Sequence, residues 1–320
     1  MANYSIIKDR LLKSAYKSKT PIVGEFELTS HCNFDCAMCY AKSNDEYLSK
    51  SQWINIFDQA YANGMLFALL TGGEIFTRPD FIELYEYLYD LGVKITLYTN
   101  GSILPTAILN TLVKRPPELI AITLYGFDSA SYKSFTKNDA FSNVSKNIDS
   151  YKKNNLNLIL RTIPLPDIYI NLEKIINFAK DKKVFLSYFL YVSKSSEDMK
   201  RLNTTELIDF KQRIDKAFPL KENESTSQHC GAFRNAFFIN HKGYMQGCAM
   251  MPIPTEKVED NFIEVFNILG AEWRKHLKKS PCKDCSINKS CFTCLARRYL
   301  EGDMYGCSEY LKEFARSVSK

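Results

Sequence analysis

No stretch of this 320-residue chain approaches the ~20 consecutive apolar residues that cross a bilayer; its longest apolar runs are strand-sized, which excludes a helical membrane protein. The first nineteen residues mix Lys and Arg with scattered apolar side chains. They offer no apolar core followed by a small-residue cleavage site, so export is not expected and the chain reads as cytoplasmic. No compact Lys/Arg run occurs either. The net charge of +6 is spread over 42 basic and 36 acidic residues, which describes a solvated surface rather than a nucleic-acid site. A mild preference for acidic partners is all that this charge allows. Internal repeats and low-complexity tracts are absent.

What is present is cysteine, ten residues of it. Cytosolic redox poise keeps thiols reduced, so there the ten read as metal ligands or catalytic groups before disulfides. With 45% apolar and 24% charged residues the chain is globular. Its length exceeds the roughly 250 to 300 residues at which a single core stops growing, which predicts a large domain plus a smaller one.

From residue 21 to about 218, strand-like runs alternate with segments of helical spacing, the pattern of a parallel sheet covered by helices. The strands are expected at 22–28, 66–71, 93–99, 119–124, 156–163 and 184–190. Helices are expected at 52–62, 81–91, 106–113, 141–153, 172–182 and 205–217, with Pro79-Asp80 and Pro105-Thr106 as starts. Six such units predict an α/β fold, a partial (β/α)6 TIM-type barrel with its site at the carboxyl ends of the strands. Residues 1–20 are an N-terminal extension and 219–228 a polar linker. Residues 229–320 form a small cysteine-rich C-terminal domain holding seven of the ten cysteines.

The first strand leads into Cys32-Asn33-Phe34-Asp35-Cys36-Ala37-Met38-Cys39. Three thiolates cannot close a four-ligand site. A 4Fe-4S cube normally takes four cysteines, so three in one loop suggest a cube with one iron open to another ligand. A structural zinc site or buried thiols is the plain alternative. The second strand ends in Thr71-Gly72-Gly73-Glu74, where glycines permit close backbone approach and a carboxylate can accept from an ammonium group; alone, such a pair is a turn. Strands three and four end in Tyr98-Thr99-Asn100-Gly101 and Thr123-Leu124-Tyr125-Gly126, on the same face.

The CxxxCxxC loop of Cys32, Cys36 and Cys39, placed after the first strand, resembles that of radical S-adenosylmethionine (SAM) enzymes. The resemblance implies that SAM chelates the open iron and that its reductive cleavage gives a 5'-deoxyadenosyl radical, the cofactors carrying the difficult chemistry. It assigns Gly72, Gly73 and Glu74 to the methionyl amino group and sets Asn100 and Thr123 near the ribose or carboxylate. Arg161 is a further candidate for the carboxylate, with a barrel-rim salt bridge as its alternative. Met38 stands where the family usually has an aromatic residue and Tyr40 follows the last cysteine, so the side chain packed on adenine is left open between such neighbours.

Downstream, Cys230, Gly243 and Cys248, then Cys282-x2-Cys285-x5-Cys291-x2-Cys294 and finally Cys307, resemble the SPASM extension of these enzymes, although the family's last gap inside the quartet is three residues. By that resemblance Cys282, Cys285, Cys291 and Cys307 hold one auxiliary 4Fe-4S cluster, and Cys230, Cys248 and Cys294 a second that is one ligand short. Water, His229, His241 or a substrate heteroatom are candidates for the vacant position. A zinc ion on the quartet alone would strand the other three cysteines.

One radical cluster and two auxiliary clusters use every cysteine and leave none as a hydrogen donor, which favours net oxidation; an unligated Cys230 or Cys248 would readmit epimerisation. The leading expectation is hydrogen abstraction from a C–H bond of a ribosomally synthesised peptide, giving a crosslink or related change. Oxidation or epimerisation of a sugar or cyclitol, sulfatase maturation, and a non-enzymatic iron-sulfur or zinc scaffold are the alternatives. Thirty-one residues precede Cys32, fewer than a leader-binding domain needs, so a leader is expected to dock elsewhere or on a separate leader-binding protein. An electron donor such as flavodoxin or ferredoxin is expected as a partner, with no nucleic acid and no membrane.

Overall fold

All six strands anticipated from the alternating pattern form, each trimmed by up to two residues at its ends: β1 (Val23–Glu27), β2 (Phe67–Thr71), β3 (Lys94–Thr99), β4 (Leu119–Thr123), β5 (Leu158–Thr162) and β6 (Phe185–Tyr188). The structure is a computed structural model and describes residues 4–36, 38–39, 46–193, 200–219, 230–287, 291 and 294–318. The six strands are parallel and adjacent in sequence order. Parallel neighbours need crossover connections, and helices supply them.

The chain starts with α1 (Tyr4–Ser18), in the stretch expected only as an extension. This helix seats Leu12 and Ala15 on Ile22 and Phe67, and Lys8 reaches Glu118 at 2.6 Å. The crossovers are α2 (Lys50–Ala62), α3 (Phe81–Asp90), α4 (Thr106–Lys114), the pair α5 (Ser129–Thr136) and α6 (Phe141–Lys153), and the pair α7 (Pro166–Ile170) and α8 (Leu172–Asp181). After β6 comes α9 (Thr204–Ala217). Their starts follow local chemistry: Ser49 caps α2 in a reciprocal capping box with Gln52, and Asn203 caps α9 likewise with Glu206. Asp80 precedes α3 without capping it, because its carboxylate is held by the Arg78 guanidinium at 2.6 and 2.9 Å.

Beyond residue 230 the described strands join the same sheet. β7 (Ala236–Ile239) lies parallel to β1, with Val23 beside Ala236 and Phe26 beside Ile239. β8 (Tyr244–Gln246) and β9 (Glu256–Lys257) follow antiparallel, so the described strands form one sheet in the order β6-β5-β4-β3-β2-β1-β7-β8-β9. Then come α10 (Phe262–Lys278), which packs on α2, α11 (Leu295–Leu300), and α12 (Glu309–Val318), which packs on α9. The expected linker, 219–228, falls almost wholly outside the described residues.

On the helix side of the sheet the core is aromatic where the two parts of the chain meet. Phe26 stands edge-on to Trp53, Phe57 and Phe237, with centroids 5.9, 5.0 and 5.7 Å away, and Trp53 and Phe57 stack at 5.7 Å. All four rings are fully buried, so this cluster joins β1, α2 and β7 by apolar burial. The alternate residues of β1, Glu25 and Glu27, face the other way, into the barrel. Among the described residues no helix is long and apolar enough to cross a membrane.

Candidate active site and metal centres

The cysteine loop leaves the carboxyl end of β1 and is tied down at its base by a buried guanidinium. Arg78 donates through Nη1 to the Leu28 carbonyl at 2.6 Å and through Nη2 to the Leu48 carbonyl at 2.8 Å, which clamps the points where the chain leaves β1 and approaches α2. Gly72 and Gly73 lie directly on the backbone that precedes the first cysteine. The Gly73 amide donates to the Thr29 carbonyl at 2.7 Å and the Glu74 amide to that of His31 at 2.8 Å. A Cβ on Gly73 would stand 2.2 Å from the His31 carbonyl oxygen, so only glycine fits there.

The Glu74 side chain has no exposed surface. Its Oε1 accepts from the Phe76 amide at 3.2 Å and the Thr99 hydroxyl at 2.8 Å, and its Oε2 from the Asn100 amide at 2.7 Å. The expectation was a carboxylate offered to an ammonium group. In the structure it braces the end of β3 instead, and the segment's approachable groups are the backbone of Gly72 and Gly73. Burial pushes the Glu74 carboxyl up to about 7, against three hydrogen bonds that favour its charged form. Asn100 is equally committed. Its Oδ1 accepts from the Ser102 amide and hydroxyl, and its Nδ2 donates to Asn33 at 2.9 Å and approaches the Cys32 sulfur at 3.8 Å. It therefore positions the first cysteine rather than lining the cavity.

Beside the loop opens a cavity of about 820 Å³ inside the partial barrel. Met38 of the loop, Thr123 and Arg161 all line it; Tyr40 lies outside the described residues. Arg161 stacks its guanidinium 4.5 Å above the Tyr98 ring and opposes the rise that burial imposes on the Glu25 carboxyl. On the wall formed by β1 and the residues after β7, His241 Nδ1 meets the Glu27 carboxylate at 2.8 Å, while among the described residues its buried Nε2 has no hydrogen-bond partner. Tyr125 packs edge-on to Phe34, with centroids 6.0 Å apart. Burial raises its phenol well above its ordinary value, and Cys36, Cys32 and Cys39 push it the same way.

No disulfide joins any of the ten cysteines. Burial raises the Cys248 thiol to about 12, and Cys294, Cys230 and Glu25 add to the rise. Burial likewise raises Cys230, with Cys294 and Glu25 contributing. Cys307 is raised by burial and then by Cys291 and Cys282, while Lys312 and Arg298 oppose. Cys294 thus acts on both Cys230 and Cys248, and Cys291 and Cys282 act on Cys307. Cys285 follows Cys282, its amide directed at the Cys282 carbonyl at 3.4 Å. His229 lies outside the described residues, and His241 is committed to Glu27 through Nδ1.

Residues 26–179, the span of the cysteine loop, Gly72 to Glu74, Asn100, Thr123 and Arg161, match the family described as the Radical SAM superfamily. The chain carries a radical SAM domain. That superfamily is one of enzymes that use a 4Fe-4S cluster and SAM. The chain is similar to AlbA, an antilisterial bacteriocin subtilosin biosynthesis protein of Bacillus subtilis (strain 168), with 33% identity over 40% of this chain and 30% of AlbA. It is similar also to SkfB, the sporulation killing factor maturation protein of the same organism, at 22% identity over 84% of this chain and 69% of SkfB. The match thus spans under a third of AlbA's length. Among solved structures, SuiB of Streptococcus suis bound to S-adenosylmethionine superposes with a TM-score of 0.72 over 97% of this chain and 81% of its own, at 17% identity. At that identity the likeness establishes the fold, a radical SAM partial barrel with a cysteine-rich C-terminal region.

The residues of the radical SAM domain suit a cube. Cys32 accepts from the Phe34 amide at 3.4 Å, besides the approach of Asn100, and hydrogen bonds of this kind tune cluster sulfurs. Burial raises the Cys32 thiol, with Glu74 and Cys39 adding to it, so the bare loop disfavours thiolates that a cationic iron core would stabilise. Among the described residues no three His, Cys, Asp or Glu side chains converge on a single metal ion. A cube meets each thiolate through a different iron, so its ligands are spread rather than convergent. The features that sequence reasoning passed over are Glu25, Glu27 and Arg78, and it gave the rings of Tyr98 and Tyr125, inside the strand-end segments, no role of their own. Two acidic residues alternating on an otherwise apolar strand, Glu25-Phe26-Glu27, were the visible signal of a polar barrel interior.

Proposed function

We propose that the chain abstracts a hydrogen atom from a C–H bond of a ribosomally synthesised peptide and that net oxidation follows, giving a crosslink or related modification. Cys32, Cys36 and Cys39 would hold the radical SAM cluster, which with bound SAM supplies a 5'-deoxyadenosyl radical. Gly72, Gly73, Thr123 and Arg161 would contact SAM. Glu74, Asn100 and Arg78 would fix the loop that presents it. Cys282, Cys285, Cys291 and Cys307 would hold one auxiliary cluster, and Cys230, Cys248 and Cys294 another.

One observation supports this reading above the rest: the same cavity is lined by Met38 from the cysteine loop and by Cys248 from the C-terminal set. A substrate there lies between the source of the radical and a site that can take an electron, which oxidation needs and a scaffold does not. The peptide class rests on similarity to AlbA, named for the biosynthesis of a bacteriocin, and to SkfB, named for the maturation of a sporulation killing factor, and on the fold shared with SuiB, which has been crystallised bound to precursor peptide SuiA. The cavity volume of about 820 Å³ lies within the range of small-molecule sites, roughly 300 to 1,000 Å³, so it would admit the cofactor and a side chain of a peptide rather than a folded partner.

The test is made with anaerobically reconstituted protein. It should cleave SAM to 5'-deoxyadenosine under reductant, and Cys36→Ala should abolish cleavage. Deuterium placed in candidate peptides should appear in the 5'-deoxyadenosine. Transfer only from a labelled sugar or cyclitol would replace the peptide reading with oxidation or epimerisation of a small molecule, and no cleavage would return the chain to an iron-sulfur scaffold.

A further inference from the structure

His241 stands in the turn at the carboxyl end of β7, on the wall of the cavity that Met38 and Cys248 also line. The turn is held from several sides. Asn240 Oδ1 accepts from the Lys242 and Tyr244 amides at 3.0 Å each, and the Gly243 amide donates to the Asn240 carbonyl at 2.9 Å. The His241 carbonyl accepts from the Leu48 amide at 2.9 Å, and the Leu48 carbonyl is one of the two that Arg78 clamps. Backbone contacts thus tie this histidine to the chain that leaves the cysteine loop.

The ring is fixed as firmly. Glu27 Oε2 meets Nδ1 at 2.8 Å and also accepts from the His241 backbone amide at 3.3 Å. A carboxylate opposite Nδ1 selects the tautomer that carries its proton there, which leaves a lone pair on Nε2. Among the described residues nothing donates to that buried nitrogen, and the residue is 9% exposed. A buried acceptor without a donor forfeits a hydrogen bond, so its place in a fold asks for a reason. Two other ionisable groups line the same cavity: Arg161 of β5 keeps its proton, and burial favours the protonated form of Glu25 on β1, so neither is ready to accept another.

Net oxidation removes two electrons and two protons from a substrate. The first electron and proton leave together, as the hydrogen atom taken in the abstraction. The second electron goes to the auxiliary site of the proposed function, and the second proton leaves the atom next to the radical centre. The electron pair that held this proton becomes part of the new bond, and the proton needs an acceptor inside the cavity. We infer that His241 is the general base of this oxidation, taking the second proton on Nε2 while the Glu27 carboxylate stabilises the imidazolium. The inference rests on the oxidation in the proposed function and holds for a peptide or a small molecule alike. His241 is then a catalytic residue, and Glu27 the residue that positions it.

The experiment uses anaerobically reconstituted wild type, His241→Gln and Glu27→Gln, with the deuterated candidate, peptide or sugar, that labels 5'-deoxyadenosine in the wild type. Oxidised product per labelled 5'-deoxyadenosine should fall about 100-fold in His241→Gln and by a smaller factor in Glu27→Gln, because abstraction precedes the proton transfer. An unchanged ratio in His241→Gln would overturn the inference. So would the loss of one cube of iron in that variant, which would make His241 a cluster ligand, or a parallel loss of labelled 5'-deoxyadenosine, which would place its role before abstraction. If no candidate labels 5'-deoxyadenosine, the proposed function falls and this inference with it; label without oxidised product in the wild type rejects the oxidation and this inference while hydrogen abstraction stands. A further readout needs no substrate. In 15N NMR of wild type labelled at its four histidines, the signal that Glu27→Gln shifts should show Nδ1 protonated and Nε2 bare. A proton on Nε2 instead would overturn the inference, even if His241→Gln fails to fold.

Discussion

Glu74 behaves unlike a surface carboxylate because its environment opposes its charge. Burial lifts its pKa from the ordinary 4.5 to about 7, so the folded chain binds this proton more tightly than the unfolded chain does. The associated stability is fully present below pH 4.5. It is lost as pH rises from 4.5 through 7, by about 3 kcal/mol at roughly 1.4 kcal/mol per unit. Between pH 4.5 and 7.5, urea unfolding of the cluster-free protein should therefore show a decline in stability that is about that much smaller in Glu74→Gln. Parallel curves for the two proteins would show that Glu74 titrates normally. The sequence displayed the carboxylate but not its partners. Thr99 and Asn100 come to it only because β2 and β3 are neighbours, and that pairing converts a group expected to face a ligand into a brace.

At the scale of elements, β1 to β6 and their crossover helices were readable because buried parallel strands leave continuous apolar runs and helices leave a 3.6-residue period. The two-to-four-residue strands β7, β8 and β9 leave neither, and β7 takes its place only through β1, far away in sequence. The motif Gly72-Gly73 was visible, but its reason is the carbonyl of His31 lying against it. Gly73→Ala should accordingly destabilise the protein by about 2 kcal/mol or more, since backbone rather than a flexible side chain must give way. It should also lower the iron retained on reconstitution by displacing the residues just before Cys32. Chemical unfolding and iron content check this together, and wild-type values in both would mean that the loop shifts freely. Arg78 escaped notice for a related reason: its two carbonyl acceptors, Leu28 and Leu48, flank the loop and are brought to it only by the fold.

For the molecule as a whole, the C-terminal third completes the barrel sheet as well as carrying seven cysteines. β1 is an inner strand because β7 covers it, and Phe237 fills the aromatic cluster of Phe26, Trp53 and Phe57. A chain ending at residue 219 should therefore expose both the edge of β1 and those rings, and self-associate through them. Size-exclusion chromatography of the truncated chain should show oligomers or aggregate; a well-behaved monomer would mean that β1 tolerates an open edge. The cysteine-rich region was visible in the sequence and the set of Cys230, Cys248 and Cys294 came with the family resemblance, whereas the influence of Cys294, the N-cap of α11, on Cys248, which follows β8, is a product of the fold.

The pairing of Val23 with Ala236 also orders events in time. During synthesis β1 emerges early, and the strand that shields it is made only after the whole of the α/β region. The nascent chain must therefore hold an uncovered strand edge while the rest is translated, and contacts so distant in sequence form late and slowly. Cluster loading faces the same schedule, because the cavity shared by Met38 and Cys248 has its second wall only once β8 arrives. Until then the cysteine loop stands open to solvent on that side, so the proposed radical chemistry would gain its shelter at the last stage of folding.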